Sequence, residues 1–444
     1  MTRWPAYPAY KPSGLPWLGE IPAHWQIKRL KHLCWRSAIY GANEPSGSYL
    51  DDGVRFIRTS DIDDDGNLNS EGAVFLERDS IVEYLLQDDD ILLSRSGTLG
   101  RSFVYERSLH GECAYAGYLV RFSLQKGFSS RFLFYFTKAK QFTDWLSLAV
   151  IQSTIGNVNG QKYANMPIPL PPLQEQRAIF AFLDRETARL DALIAKKEGL
   201  IELLGEKRAA LISRAVTHGL DSTVLLKDSG VLWLGQIPAH WEVKRLKFVA
   251  DVRNGTAKGR DFGSREIVEI PYLRVANVQD GYLDLSDVAT IVIARDEIPR
   301  YTLRVGDVLM NEGGDFDKLG RGSVWIGQID LCIHQNHVFA VRPRYIGDSA
   351  WINTITFTLY AKHYFILKSK QSTNLASISA TNLQDLPVVL PPLAERQRIL
   401  EFIDSETAKL DALTAKVREG VEKLSEYRAA LISAAVTGKI DVRG

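Results

Sequence analysis

The sequence contains few cysteines and no long apolar stretch. Its three cysteines, Cys34, Cys113 and Cys332, are too few and too widely spaced for a disulfide framework or a four-thiolate zinc site. No apolar run approaches the roughly 20 residues that a membrane helix needs. Residues 1–14 also lack the apolar centre of a secretory signal peptide. We therefore expect a cytoplasmic protein.

Charge of one sign is not in excess either, since 54 Lys and Arg face 53 Asp and Glu. Residues 32–164 contain 13 basic and 17 acidic residues, and residues 248–384 contain 15 of each. A domain that binds nucleic acid usually has a basic face. Any DNA-facing surface of this chain must therefore be a local patch.

Catalytic signatures are missing from the sequence. There is no GxxxxGK[ST] phosphate loop, no GxGxxG after a strand, no NPPY-like methyltransferase tetrapeptide and no HExxH. An independent enzyme is therefore not expected.

Two groups of residues resemble metal ligands without the full pattern. Residues 61–66 (DIDDDG) match the start of a calcium loop, but Gly72 stands where that loop needs a glutamate, which favours a solvated β-turn. Strand-like alternation would place Cys332 and His334 on one face and His337 on the other. We expect no metal site at either place.

The chain contains an internal duplication. Residues 14–31 (GLPWLGEIPAHWQIKRLK) return as residues 230–247 (GVLWLGQIPAHWEVKRLK), with 13 of 18 positions identical at an offset of 216. Residues 171–221 return as residues 391–441 at an offset of 220. Shared ends around divergent middles predict one scaffold that presents two different binding surfaces.

The shared anchoring segments contain two tryptophans around an Ile-Pro step and end in basic residues. Proline cannot continue a helix, so we expect an irregular loop followed by a short strand or helix start. Buried tryptophans favour a packing role for Trp17, Trp25, Trp233 and Trp241. Direct DNA contact through the basic ends remains the alternative.

Each middle has the pattern of a mixed α/β domain of about 130 residues. Alternating apolar and polar residues predict strands, apolar runs open into glycine-rich polar loops, and aromatic stretches predict helices. These stretches are, in the first and then the second middle, 56–62, 90–102 and 131–146, and 272–278, 307–323 and 351–366.

The shared C-terminal parts predict long helices. Paired prolines and a first-turn Glu175 or Glu395 suit a helix start. Apolar residues then recur every seven positions, which predicts a coiled coil, while Lys197 breaks the pattern and Gly199, Gly205 and Gly420 weaken it locally. An ordinary amphipathic helix packed on its own domain is the alternative. The predicted seam consists of Leu183, Leu190, Leu204, Leu211, Ile403, Leu410, Val417, Leu424 and Leu431.

Polar side chains on the loops of the middles are the candidates for DNA recognition. Arginine can bind a guanine edge, Asn and Gln an adenine edge, and Ser or Thr either. A solvated surface group or a turn former is the alternative for any single residue. The first middle offers Arg58, Ser60, Arg95, Ser96, Thr98, Arg101, Gln152, Ser153, Thr154, Asn157 and Asn159. The second offers Arg274, Asn277, Asn311, Lys318, Arg321, Gln335, Asn336, Gln371, Ser372, Thr373 and Asn374.

Three features occur twice in the same order: the motif WLGxIPAHW, a divergent middle, and a helix opening that reads IPLPPLQEQ in the first copy and VVLPPLAERQ in the second. Over essentially the whole chain this resembles the specificity subunit of Type I restriction-modification systems. The resemblance implies two target recognition domains, each recognising half of a split DNA sequence. It also implies an antiparallel coiled coil that sets the spacing and docks two modification subunits. Methylation with S-adenosylmethionine, and cleavage driven by ATP and magnesium in restriction subunits, would belong to partner chains, with no cofactor bound by this one.

The expected fold is therefore an α/β (α+β) protein whose two recognition domains are joined by two long antiparallel coiled-coil helices. Direct repeats joined in this way acquire approximate, pseudo-two-fold symmetry, and unlike middles predict an asymmetric bipartite DNA target. A coiled-coil scaffold whose domains bind proteins, and a self-contained endonuclease, are the alternatives. The expected segments are an anchor (1–31), recognition domain 1 (32–164), a helix (165–220), a second anchor (221–247), recognition domain 2 (248–384) and a second helix (385–444).

Overall fold

The computed structural model describes residues 4–151, 157–314, 319–371 and 376–443, without the side chains of Ile151 and Gln371. The chain divides into two compact units, unit 1 (Met1–Glu198 and Glu419–Gly444) and unit 2 (Gly199–Arg418). Within the described residues, no helix combines the length and the apolar character needed to cross a bilayer.

The elements of the first half of the chain, up to the first long helix, follow one another in a mixed order. The strands are β1 (Tyr10–Pro12), β2 (Glu20–Pro22), β3 (Gln26–Arg29), β4 (Cys34–Tyr40), β5 (Val54–Ile57), β6 (Phe75–Leu76), β7 (Asp90–Ser94), β8 (Ser102–Val104), β9 (Cys113–Tyr115), β10 (Leu119–Leu124) and β11 (Pro167–Leu170). The helices are α1 (Arg107–His110), α2 (Ser130–Thr137), α3 (Lys140–Ile151), α4 (Gly160–Ala164) and α5 (Leu173–His218).

The second half follows a similar order, with three more strands among the described residues and its first short helix at an earlier place. Its strands are β12 (Leu226–Asp228), β13 (Gln236–Pro238), β14 (Glu242–Arg245), β15 (Ala250–Asn254), β16 (Ile267–Leu273), β17 (Ala289–Ala294), β18 (Val308–Asn311), β19 (Gly313–Gly314), β20 (Gly322–Val324), β21 (Ile333–His334), β22 (Val338–Pro343), β23 (Lys370–Gln371), β24 (Ala376–Ser377) and β25 (Pro387–Leu390). Its helices are α6 (Ile298–Tyr301), α7 (Ser349–Thr356), α8 (Leu359–Lys368), α9 (Ala380–Gln384) and α10 (Leu393–Val436).

Both units contain a four-stranded antiparallel sheet and a three-stranded mixed sheet. In unit 1 the orders are β4-β10-β7-β8 and β6-β5-β9, and in unit 2 they are β15-β22-β18-β20 and β17-β16-β21. The pairs β5·β9 and β16·β21 are parallel. The mixed α/β prediction is thereby confirmed, and each predicted aromatic stretch forms two helices, α2 with α3 and α7 with α8.

The His-Trp pair that both anchoring segments share contacts the first turn of a long helix. Trp25 is fully buried and its Nε1 donates to Oε1 of Glu175 at 2.8 Å, while Nε2 of His24 lies 2.8 Å from Oε2. Strand β3 of the same segment pairs with β11, which leads directly into α5. In unit 2, β14 pairs with β25 in the same way.

The equivalent contacts in unit 2 join His240 and Trp241 to Glu395, at 2.8 and 3.1 Å. Trp241 is fully buried, and Trp17 and Trp233 are half-buried. We call this arrangement the His-Trp-Glu clasp. It ties the start of each repeat to its final helix and gives the anchoring tryptophans a packing role.

The two long helices pack together inside each unit. In unit 1 the beginning of α5 shares a core with the end of α10, through Leu183, Leu190 and Leu431. In unit 2 the end of α5 shares a core with the beginning of α10, through Ile212 and Ile403. Beginning meets end in both units, so the helices run antiparallel as predicted.

The predicted seam residues lie on the inner side of these helices. Leu183, Leu190, Leu204, Ile403, Leu410, Val417 and Leu431 are buried, and Leu211 and Leu424 are half-buried. α5 runs unbroken through Gly199 and Gly205, because a glycine costs only about 1 kcal/mol in a helix that is otherwise well packed. Gly420 of α10 lies opposite Lys197, the residue that breaks the heptad pattern. A Cβ built on Gly420 would stand 3.1 Å from Nζ of Lys197.

Candidate nucleic-acid interface

Three loops of unit 1 that are distant in sequence lie next to one another. The loop after β5 meets the β7–β8 loop, because Arg101 donates through Nε to Oδ1 of Asp64 and through Nη1 to the carbonyl of Ile62, both at 2.8 Å. The β7–β8 loop meets the loop before α4, where the amide of Val158 donates to the carbonyl of Arg95 at 3.1 Å. The structure thus gathers candidates from all three loops on one surface.

Arg58 is held in a defined position on this surface. Its Nη2 donates to Oδ1 of Asp61 at 2.8 Å and to the carbonyl of Gly72 at 2.7 Å, and its guanidinium lies 5.8 Å from the ring of Tyr49. The hydrogen bond with Asp61 raises the pKa of Arg58. Neighbouring Ser60 is exposed and donates to Oδ1 of Asp61 at 3.3 Å. A fixed, charged fork of this kind suits a guanine edge or a phosphate.

Arg95 contacts two aromatic residues that sequence reasoning missed, Tyr40 through its ring and Tyr118 through its backbone carbonyl. Its guanidinium lies 4.8 Å from the ring centre of Tyr40, whose hydroxyl accepts a hydrogen bond from the amide of Gly160 at 2.8 Å. Its amide donates to the carbonyl of Tyr118, whose side chain is 64% exposed. Exposed rings beside an arginine offer stacking surfaces for bases. No signal in the sequence separates these tyrosines from core tyrosines.

The remaining unit 1 candidates have mixed surroundings. Thr98 is exposed and Ser96 is half-buried. Asn159 caps α4, its side chain accepting from the amide of Lys162 at 2.9 Å, and Asn157 is half-buried. Gln152, Ser153 and Thr154 lie outside the described residues.

Unit 2 joins its loops in the same manner with different side chains. Arg274, the counterpart of Arg58, donates through Nη2 to Oδ2 of Asp287 at 2.8 Å. Nη1 of Arg321 lies 3.4 Å from Oε1 of Gln279, and the amide of Gly281 donates to the carbonyl of Gly322. The loop after β16 and the β18–β20 loop therefore form one surface.

The side chains of Asn277 and Asn311 are buried beneath this surface and form hydrogen bonds within its loops. Asn277 is 3% exposed, and its Nδ2 donates to the carbonyls of Asp284 and Asp287 at 2.8 and 2.9 Å. Asn311 is 2% exposed, and its Nδ2 donates to the carbonyl of Val278 at 3.0 Å. Both amides stabilise the loops in this structure, so their donors are not presented at the surface.

Gln335 and Asn336 are half-buried at the turn between β21 and β22. Oε1 of Gln335 accepts from the amide of Val275 at 3.4 Å, and Nδ2 of Asn336 lies 3.3 Å from Nε2 of His337. Gln371 ends β23, and its side chain, together with Lys318, Ser372, Thr373 and Asn374, lies outside the described residues.

Carboxylates accompany most of the candidate arginines. Arg58, Arg101 and Arg274 are paired with Asp61, Asp64 and Asp287 at 2.8 Å in each case. Asp64 and Asp287 are exposed, and pairs with such carboxylates are worth only about 0–1 kcal/mol, so a phosphate or base edge can replace them at small cost. Asp61 is only 4% exposed and holds Arg58 more firmly. Both surfaces thus offer cations without a strong net positive field.

The residues that resemble metal ligands have other partners. Asp61 binds Arg58, and His334 and Cys332 are buried, with Nδ1 of His334 lying 2.6 Å from the carbonyl of Val338. His337 is 57% exposed and pairs with Glu312 at 2.8 Å. Among the residues that the structure describes, no group of three His, Cys, Asp or Glu could hold a metal ion.

Comparison with known proteins gives consistent matches over most of the chain. A sequence model of the family described as Type I restriction modification DNA specificity domain matches residues 22–203 and again residues 238–423. The EcoKI specificity subunit of Escherichia coli K12, a Type I restriction enzyme, is 24% identical over 439 residues, covering 95% of this chain and 90% of its own length. The StySPI specificity subunit of Salmonella potsdam is 24% identical over 436 residues, with the same coverage.

Solved structures share the fold. A chain from a study of complex assembly and conformational transition of the type I R-M system has a TM-score of 0.69 at 20% identity, covering 95% of this chain and 99% of its own. The HsdS subunit from Thermoanaerobacter tengcongensis has a TM-score of 0.50 at 18% identity, covering 95% and 98%.

Proposed function

Because the chain belongs to the family of Type I restriction modification DNA specificity domains, we propose that it is the DNA-recognition subunit of a Type I restriction-modification complex. Recognition domain 1 (32–164) and recognition domain 2 (248–384) each recognise one half of an asymmetric bipartite DNA sequence. The chain carries out no catalysis itself. It directs a methyltransferase and, with a motor subunit, a nuclease to the site in the cytoplasm.

The observation that carries this proposal is the recurrence of one loop arrangement with unlike side chains. In both units the loop after the central parallel strand is hydrogen-bonded to the following hairpin loop, and arginines project from it. Two surfaces built alike but lined differently suit two half-sites of different sequence.

The partners follow from the same assignment. Double-stranded DNA binds to the loop surfaces, and two modification subunits dock on the segments 165–220 and 385–444. Restriction subunits complete the cutting complex. S-adenosylmethionine, ATP and magnesium act in those partner subunits, and this chain binds no cofactor.

Exchange of one recognition domain tests the assignment directly. Residues 32–164 are replaced by the corresponding middle of another family member, and the chain is expressed with its partner subunits. Methylome sequencing should show one half-site changed and the other retained, because each domain contacts its own bases. The reciprocal exchange of residues 248–384 is the matched control and should change the other half only. An unaltered DNA target in both exchanges would favour the protein-binding scaffold instead.

Lengthening the helix tests its role as a spacer. Inserting one or two turns, about four or seven residues, into residues 173–216 should lengthen the gap between the half-sites without altering the bases recognised, since each residue adds about 1.5 Å along the helix. The same insertion in the exposed turn at Gly127, between β10 and α2, serves as the control and should leave the gap unchanged. A constant gap in the helix variant would refute the spacer role.

A further inference from the structure

Unit 2 contains a groove at the end of α5 that has no assigned role. Its volume is about 660 Å³, and it lies between the last turns of α5, the segment that follows them and one side chain of α10. Leu211, Leu220, Val224 and Leu226 line it, with Phe402 on the α10 side. The lining is mainly apolar, and Phe402 is 38% exposed.

The equivalent place in unit 1 is filled. Phe182 occupies the position of Phe402 in the duplication, at the offset of 220, and is only 3% exposed. The ring of Trp4 covers it edge-on, with the ring centres 4.8 Å apart and the planes at 87°. The same aromatic position is therefore covered in one unit and open in the other.

Chain connectivity explains the difference. In unit 1 two separate segments cover the helix end, the start of the chain and its end, and the amide of Asp441 donates to the carbonyl of Pro5 at 2.7 Å. In unit 2 a single continuous segment, residues 219–225, leads from α5 to β12. Unit 2 thus has one layer of chain fewer at this place, and Leu220, which takes the position of Trp4 at the offset of 216, lines the groove.

The His-Trp-Glu clasp of unit 2, which lies beside the groove, has one hydrogen-bond donor fewer than the clasp of unit 1. In unit 1 the hydroxyl of Tyr7 donates to Oε1 of Glu175 at 2.5 Å, and Glu175 is 4% exposed. Thr223 takes the position of Tyr7 in the duplication, but its hydroxyl donates to Asp221 at 2.7 Å. Glu395 is accordingly 19% exposed, and its Oε1 lies 3.3 Å from where a Cβ on Gly219 would stand.

The rim of the groove is positively charged. Lys207 and Arg214 line it and are exposed, and among the described residues neither forms an ion pair. Their counterparts in unit 1, at the offset of 220, are Tyr427 and Ala434. Two cations and one carboxylate, Asp221, therefore line the groove, and this excess of positive charge favours an acidic occupant.

We propose that this groove binds an aromatic side chain on an acidic segment of a partner protein, which covers Phe402 as Trp4 covers Phe182. The aromatic ring fills the apolar floor, acidic neighbours meet Lys207 and Arg214, and a hydroxyl donor can reach Glu395. Aromatic anchors in preformed pockets are the usual centres of protein interfaces. The site is separate from the DNA-recognition loops and does not depend on their assignment.

A peptide-binding measurement with the full-length chain tests the proposal. The probe is the fluorescently labelled peptide Asp-Asp-Trp-Pro-Ala-Tyr, which joins the sequence of residues 4–7 to an acidic flank. Fluorescence anisotropy should show saturable binding, weakened about tenfold or more by Phe402→Ala. Leu413→Ala, which removes an exposed side chain of α10 outside the groove, is the control and should bind like the original chain.

A charge reversal separates acidic recognition from simple apolar contact. Arg214→Glu should weaken binding of the acidic peptide and strengthen binding of the peptide Lys-Lys-Trp-Pro-Ala-Tyr. Undiminished binding in Phe402→Ala, or equal affinity of the original chain for both peptides, would overturn the proposal. Displacement of the peptide by a DNA duplex would overturn it too, as would self-association of the chain that Trp4→Ala abolishes. Thermal melting of each variant checks that its fold is retained.

Discussion

The two units share their strand order and their clasp but differ at the loops, and one pair of positions shows how. In unit 1 the amide of Arg95 donates to the carbonyl of Tyr118, and in unit 2 the amide of Glu312 donates to the carbonyl of His337, both at 2.9 Å. The backbone is therefore the same while the side chains change from Arg and Tyr to Glu and His. Arginine suits the acceptors of guanine, and glutamate suits the amino group of cytosine. A duplicated scaffold can thus carry different recognition chemistry without a change of fold.

Buried charges differ between the units in a related way. Ser123 lies opposite Asp90 on the neighbouring strand and donates to it at 2.5 Å, whereas Arg121 is 3.7 Å away. In unit 2 Arg342 itself is paired with Asp307 at 2.7 Å. Burial raises the pKa of Asp90. Unit 1 therefore depends less on its ion pair than unit 2 does.

The largest expected effect comes from removing these arginines. Arg342→Ala should lower the stability of unit 2 by about 3–5 kcal/mol, because it leaves the Asp307 carboxylate buried without its partner. Arg121→Ala should lower the stability of unit 1 by less, because Asp90 keeps the hydrogen bonds from Ser123 and the amide of Gln87 and can take up a proton. Native-state hydrogen exchange, followed separately in peptides of β7 and β18, measures both losses. Equal losses of stability in Arg342→Ala and Arg121→Ala would contradict the inference that unit 1 depends less on its ion pair.

The second-largest expected difference between the units is their loss of stability at low pH. Burial lowers the pKa of His334, at the end of parallel strand β21, from 6.5 to about 4. In unit 1 the corresponding parallel strand, β9, ends in Tyr115 instead. The unfolded chain therefore takes up the proton first as the pH falls. Stability of unit 2 should be lost progressively between about pH 6.5 and pH 4, by about 3 kcal/mol in total.

Hydrogen exchange at pH 7 and pH 4.5, corrected for the intrinsic rate, measures this loss. In His334→Gln, whose amide can still donate to the carbonyl of Val338, the contribution of this position should disappear. Tyr115→Phe in unit 1 is the control and should not alter the acid response. An acid response of unit 2 that is unchanged by His334→Gln would remove His334 as its cause.

The smallest expected difference concerns the clasp. Glu175→Ala leaves the buried Trp25 indole and the Tyr7 hydroxyl without an acceptor and should cost about 2–3 kcal/mol. Glu395→Ala affects a more exposed clasp without the tyrosine and should cost about 1 kcal/mol. Thermal unfolding of the two single variants gives the comparison. Tyr7→Phe should account for part of the gap between them, and similar losses in both variants would show that the extra donor adds nothing.

Local sequence patterns were sufficient for the repeated architecture. The duplication predicted two units of one design, and the mixed strand and helix patterns of the middles were confirmed. The heptads predicted the long helices α5 and α10, and both form without interruption. These features follow from periodicity and chain order, which are properties of neighbouring residues.

Contacts between distant residues were beyond such patterns. Trp25 and Glu175 are 150 residues apart, and nothing in either stretch names the other as its hydrogen-bond partner. Lys197 breaks the heptad pattern of α5, and it lies opposite Gly420 of α10. This pairing could be recognised only once both helices were in place. The carboxylates that hold Arg58, Arg101 and Arg274, and the burial of Asn277 and Asn311, also emerged only from the folded loops.

The sequence by itself determined that this protein has two related units, with long helices and divergent loop-rich middles, because repeats and periodicity are written in the order of residues. Only the tertiary structure decided which polar side chains reach the surface and which stabilise the loops. It also decided that Phe182 is covered while Phe402 is open. The reason is that one helix end is covered by two chain segments and the other by a single continuous segment, and burial depends on how many layers of chain meet in space.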